Sequence, residues 1–120
     1  MRILGNYEHD LDNLLIVDSG AEISVIRDIS YLTGINRNPT DRLFGAGDQE
    51  LNVNAAGTLR LHFGNNIFKV KALASSDSTC NLISLHDLEK AGLIIDLQNR
   101  NILTKDNKKI SDIIDYGRYI

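Results

Sequence analysis

The sequence predicts a mostly β domain with one short helix near its C-terminal end. Three observations predict it. Leu14-Leu15-Ile16-Val17 is a continuous apolar run that ends on an acid, Asp18, as expected of a strand buried on both faces. Leu59, Leu61 and Phe63 alternate with Arg60 and His62, and Phe68, Val70 and Ala72 alternate with Lys69 and Lys71. Two period-two segments separated by Gly64-Asn65-Asn66 predict a hairpin whose turn takes positive φ. Helix signals gather at one place, Ser84 to Ala91.

The remaining elements follow in chain order. After the Asp18-Ser19-Gly20 turn, Ile23, Val25 and Ile29 continue the core. Ser30 to Pro39 ends in Asn36-Arg37-Asn38-Pro39, a polar and irregular run that predicts a loop. Phe44-Gly45-Ala46-Gly47-Asp48-Gln49 suits a hairpin tip, because glycines allow both sharp turns and close approach to another chain. In the helix, Ser84 is the N-cap, and Asp87 stands three residues on, where an acid closes a capping box. Leu85 and Leu88 share a face, and Gly92 ends the helix in the left-handed conformation. Asn99-Arg100-Asn101 and Asp106-Asn107-Lys108 predict two further turns.

Length and composition bound the function. The 120 residues are 42% hydrophobic and 24% charged, ordinary values for one globular domain spanning residues 1–120. Net charge is −3 with no basic block, which gives no footprint for nucleic acid. No apolar run is long enough to predict a membrane span, and no N-terminal stretch has the pattern of a signal peptide. Cys80 is the only cysteine, so neither an internal disulfide nor a cysteine-based zinc site is expected, and a reducing cytoplasmic setting is. His9, His62 and His86 lack metal-ligand spacing, so no metal or other cofactor is expected. His62 reads as a strand surface residue and Cys80 as a small buried one rather than a nucleophile. Met1 need not be a native start, because a domain cut from a longer chain would also be given one.

Asp18 is the candidate for chemistry. A carboxylate at the end of a buried strand is costly unless something uses it. Gly20 lets a second backbone pass close to the acid, and Ser19 ties the turn by hydrogen bonds. Hydrolysis of a peptide by carboxylates alone needs two of them sharing one proton, one acting on the water and one on the carbonyl oxygen. The chain has no second Asp-Ser/Thr-Gly; Asp77-Ser78-Thr79 lacks the glycine. If Asp18 works as one of such a pair, its mate is expected from a second copy across a two-fold axis. There is no Gly-x-Ser-x-Gly elbow for a serine hydrolase. Gly45-Ala46-Gly47 lacks the third glycine of a dinucleotide fingerprint, and the chain is too short for an actin-like kinase.

Apolar strand plus Asp18-Ser19-Gly20-Ala21 resembles the active-site signature of the retropepsin-like aspartic proteases. Asn81-Leu82-Ile83-Ser84-Leu85 before a helix is similar to the version in copia-type retrotransposons, where retroviral enzymes have two apolar residues and a glycine. The resemblance spans Leu14 to about Leu97 and implies an all-β, closed-barrel lobe with one short helix. It implies catalysis by Asp18, with Ser19 bracing two catalytic loops and Gly20 offering its carbonyl to the substrate. It also implies substrate contacts from Ala21 and Glu22, and a flap made of Phe44, Gly45, Ala46, Gly47 and Asp48. The implied function is cleavage of a Gag-Pol-type polyprotein by a homodimer with one catalytic Asp per subunit, in the cytoplasm and within virus-like particles. Few residues precede Asp18, so an N-terminal interface strand is expected to be short and the tail after Gly92 to do most of the dimer pairing. The alternative is a domesticated domain that holds an extended partner peptide in the same cleft by main-chain bonds without cutting it.

Overall fold

In a computed structural model, residues 2–3, 14–18, 20–63 and 65–112 are described. The strands, in chain order, are β1 (Arg2–Ile3), β2 (Leu14–Asp18), β3 (Ser24–Ile26), β4 (Leu32–Asn36), β5 (Leu43–Phe44), β6 (Glu50–Leu51), β7 (Ala55–Phe63), β8 (Asn66–Ala74) and β9 (Asn81–Ser84). Helix α1 (Leu85–Lys90) follows, then β10 (Leu93–Asp96), β11 (Asn101–Thr104) and β12 (Lys109–Asp112). Short 3-10 turns occur at Ile29–Tyr31 and Ala46–Asp48.

Seven strands form the main sheet in the order β1-β2-β9-β3-β8-β7-β4. The hairpin read from sequence is its longest pair: β7 and β8 run antiparallel from Ala55↔Ala74 to Phe63↔Asn66. Leu59, Leu61, Val70 and Ala72 are buried while Arg60, His62, Lys69 and Lys71 are exposed, so the period of two is a record of one face packing. Gly64, the first residue of the turn expected to take positive φ, lies outside the described residues. Beside this hairpin, β3 is parallel to β8 and antiparallel to β9, and β9 is parallel to β2. β10, β11 and β12 make a separate antiparallel meander, its turns falling at the two predicted sites, with Arg100 and Asn107 at positive φ.

One core joins these layers. Leu15, Ile26, Leu59, Leu61, Val70 and Ile83 of the sheet pack with Leu88 of α1, Leu93 of β10 and Ile102 of β11. A second cluster, on the other face, holds Val25, Leu43, Ala56 and Leu73, with Ile23, Leu51 and Val53 packed against it. Adjacent residues such as Val25 and Ile26, or Leu73 and Ala74, point to opposite faces. Both are buried in each pair because both faces are covered there.

Three expectations are corrected. Among the described residues the sheet does not close into a barrel: its outer strands, β1 and β4, each pair on one side only. Closure needs a consistent stagger around the whole sheet, whereas β1 has two residues and the β4–β7 pairing shifts register between Thr33 and Asn36. Second, Leu32–Asn36 is a strand, not a loop. Leu32 is its one buried residue, at 4% exposure, and Thr33 through Asn36 face solvent, so an edge strand with a bulge carries no alternation to read. Third, Ser84 and Asp87 do not form a reciprocal capping box. The Asp87 N–H donates to Ser84 Oγ at 3.3 Å, but the Asp87 carboxylate reaches across to β3 instead. The helix ends as expected, with Gly92 at φ 99°.

Gly57 is where β4 meets β7 most closely. A Cβ at this position would lie 2.8 Å from the Thr33 carbonyl oxygen and 3.0 Å from Leu32 Cβ. A backbone oxygen cannot rotate aside, so Gly57→Ala must push β4 from the sheet. We expect a loss of about 1–3 kcal/mol, the usual cost of overpacking, read as a lower urea midpoint at unchanged slope. An unchanged midpoint would mean that the two strands separate freely.

Candidate active site

Asp18 ends β2, an internal strand between β1 and β9. The residue is half-buried, and its Oδ1 accepts the Gly20 N–H at 2.8 Å. The Ala21 N–H points back at the Asp18 carbonyl oxygen, 3.4 Å away. The chain thus reverses around the carboxylate, which is what the Asp-x-Gly order allows: a side chain bonded two residues on mimics a backbone turn. A Cβ at Gly20 would come to 3.4 Å from Asp18 Oδ1, so glycine keeps that flank of the carboxylate uncrowded. Ala21 is half-buried and Glu22 exposed. Ser19, expected to brace the turn, lies outside the described residues.

The turn stands on polar groups that sequence reasoning missed. Asp18 pairs with Ser84 across β2 and β9. Ser24, where the turn rejoins the sheet, accepts the Ser84 N–H at its Oγ (3.0 Å) and donates that hydroxyl to Asp87 Oδ2 (2.8 Å). The Ser24 N–H also donates to Asp87 Oδ2, at 3.2 Å. Ser24 and Ser84 are fully buried. The available signal was Ser24 itself, a small polar residue between Ile23 and Val25 where a core strand would take an apolar one. Leu82 and Ile83 lie in β9, with Ile83 fully buried and Leu82 half-buried. Asp77, the weaker acid of Asp77-Ser78-Thr79, is exposed and accepts the Asn52 N–H at 2.9 Å, the role of a loop tie.

Phe44 to Asp48 do form a hairpin tip. β5 and β6 pair as a two-stranded sheet with Phe44↔Glu50. The Gly45 N–H closes the tip on the Gln49 carbonyl oxygen at 2.7 Å. Gly47 takes φ 74° and Asp48 φ 61°, left-handed backbone that favours glycine at the first of these. The base of the hairpin sits on the sheet through Leu43 and Leu51, in the cluster that also takes Ile23 and Val25. The hairpin base and the segment that follows the Asp18 turn therefore share one packing unit. Phe44 is 51% exposed, and the Arg42 guanidinium carbon lies 5.2 Å from its ring centroid. Arg42 also clamps Glu50 with two bonds, Nε to Oε2 at 3.0 Å and Nη2 to Oε1 at 2.9 Å.

No protein-family model matches the chain. Over 113 residues, 93% of its length, it is 25% identical to the Transposon Ty1-DR6 Gag-Pol polyprotein and to the Transposon Ty1-LR3 Gag-Pol polyprotein of Saccharomyces cerevisiae (strain ATCC 204508 / S288c). The match to the Transposon Ty1-DR4 Gag-Pol polyprotein of the same yeast has the same identity and extent. The chain spans 6–7% of the length of these relatives. The similarity supports a copia-type retrotransposon origin. Among the described residues, no group of three or more metal-ligating side chains gathers, and no helix is long and apolar enough to cross a membrane.

The Arg42–Glu50 clamp has a titration signature. The hydrogen bond from Arg42 holds the Glu50 carboxyl below its ordinary value, and the guanidinium charge adds to it. A lowered folded-state value means that the clamp's stabilisation is present above the unfolded-state value. It is lost as pH falls through the folded one. Carboxyl carbon shifts followed by NMR are expected to place Glu50 below a free glutamate, and Arg42→Gln to return it. An identical Glu50 midpoint in both proteins would show that the clamp does not persist in solution.

Proposed function

We propose that residues 1–120 form one lobe of a retropepsin-type aspartic endopeptidase, completed by a second copy of the chain. The observation that carries this is the placement of Asp18. Asp18, a half-buried residue, ends an internal strand, and its carboxylate is held by the amide of Gly20 in a tight turn. Such a carboxylate is poised for acid–base work once a second is brought beside it, because a like charge at contact distance makes the pair retain a proton. One carboxylate then takes a proton from the attacking water while its mate donates to the scissile carbonyl oxygen. Ser19 is assigned to bracing the two turns. Gly20, Ala21 and Glu22 are assigned to the substrate main chain, and the hairpin from Phe44 to Asp48 to covering it.

The substrate class follows from the relatives. They are Gag-Pol polyproteins, and the match runs along nearly the whole of this chain. The domain then cleaves the polyprotein in which it is made, in the cytoplasm and within virus-like particles. Neither a cofactor nor nucleic acid or membrane enters this reaction.

Cleavage of a flanking polyprotein segment tests the proposal. Asp18→Asn is nearly isosteric and keeps the turn's hydrogen bond, but cannot act as base. The rate is expected to fall by about 10²–10⁴-fold or more, since both subunits change together. Specific activity of the unaltered protein is expected to fall on dilution in step with the dimer population measured by ultracentrifugation. Near-native turnover by Asp18→Asn, or full activity in a demonstrated monomer, would overturn it. Binding of the segment without cleavage would leave the peptide-holding function in its place.

A further inference from the structure

Given that protease function, we propose that Ser24 and Asp87 are positioning residues for Asp18. They form a clamp that fixes both feet of the catalytic turn to one point. The first foot is Asp18, held to Ser84 by the β2–β9 register. The second is Ser24, held to the same Ser84 by the 3.0 Å bond from the Ser84 N–H to Ser24 Oγ. Asp87 locks the second foot twice, accepting the Ser24 hydroxyl at 2.8 Å and the Ser24 N–H at 3.2 Å on one oxygen. Asp87 is itself placed by α1, whose N-cap is Ser84. Three elements, β3, β9 and α1, are thus tied together at Ser24, whose hydroxyl accepts from Ser84 of β9 and donates to Asp87 of α1.

The chemistry of the three groups argues for specification beyond packing. Ser24 and Ser84 are fully buried, and a buried hydroxyl is costly unless bonded. An apolar pair would fill the same strands without that cost. The Ser24 hydroxyl is used on both sides, accepting from Ser84 and donating to Asp87. Bonds to an ionised carboxylate are roughly twice as strong as neutral ones. A bonded, part-buried network of this kind holds one geometry, where apolar contacts would allow several. The consequence falls on Asp18: with one foot released, the turn changes span, and the carboxylate leaves the position its mate requires. Misplacement of a reacting group by about 1 Å costs on the order of 10²-fold in rate.

The test compares Ser24→Ala and Asp87→Ala with Asp87→Asn, which keeps an acceptor oxygen. Val70→Ala, a core change in β8, serves as a destabiliser that leaves the clamp intact. Two readouts are taken at a temperature where all are folded. One is kcat and KM on a peptide from the flanking polyprotein. The other is the amide resonance of Gly20, whose N–H is bonded to Asp18 Oδ1. Ser24→Ala and Asp87→Ala are expected to lower kcat by about tenfold or more, leave KM within about twofold, and shift the Gly20 amide upfield. Asp87→Asn is expected to retain most of kcat and the native Gly20 resonance. Val70→Ala is expected to change neither. An unmoved Gly20 resonance in both alanine variants, or the same changes in Val70→Ala, overturns the assignment. If no protein in the series cuts the peptide, the fault lies with the proposed function, and the Gly20 resonance still decides whether the clamp positions Asp18.

Discussion

Everything in this fold hangs on the parallel pairing of β2 with β9. It joins Leu15↔Asn81 through Asp18↔Ser84, residues far apart in the chain. Parallel neighbours cannot be joined by a tight turn, so all the strands from β3 to β8 must be laid down between the two partners. β3 then enters antiparallel to β9 and parallel to β8, which makes the sheet continuous. The pairing buries Leu15 and Ile83 completely and brings the ends of two strands to one place. At that place stand the candidate acid, the cap of the helix and the clamp beneath the turn. A shift by one residue would turn Leu15 and Ile83 out of the core and Asp18 out of its turn.

The hairpin from β5 to β6 depends on the opposite face of the same sheet. Val25, Ala56 and Leu73 are buried because Leu43, Leu51 and Val53 cover them. The hairpin from β5 to β6 is therefore anchored at its base and free at its tip. The tip carries left-handed backbone at Gly47 and Asp48, and its sides are held by the Arg42–Glu50 clamp. A segment built this way keeps its shape while its tip stays exposed. Its clamp lies in solvent, so it orders the hairpin without adding much stability.

Legibility of the sequence followed burial on a single face. β7 and β8 were plain because toward their shared turn, around Leu59 to Leu61 and Lys69 to Ala72, one side packs and the other is wet, which writes a period of two. α1 was plain because Ser84, Leu88 and Gly92 each have a local job. β4 was not legible, since Leu32 is its one buried residue and the bulge takes Gly34 at φ 59°. Open outer strands in place of a barrel could not be read either, because closure depends on stagger among strands and not on any one segment. Asp87 was assigned to a local cap through its spacing from Ser84, while its carboxylate bonds Ser24 on another strand.

The sequence by itself determined the strand ending in Asp18, the tight turn behind it, the long hairpin, the helix with its cap and stop, and the glycine-bearing tip. Each depends on residues within a few positions of one another, where sterics and local hydrogen bonds act. Tertiary structure alone decided the parallel β2–β9 register, the two-faced burial of β3, the edge strand β4 and the convergence of Ser24, Ser84 and Asp87 under Asp18. Those depend on contacts between residues up to 66 positions apart, as from Asp18 to Ser84. Such contacts form only when the whole chain has buried its apolar faces, and no local pattern encodes which distant partner each strand will meet.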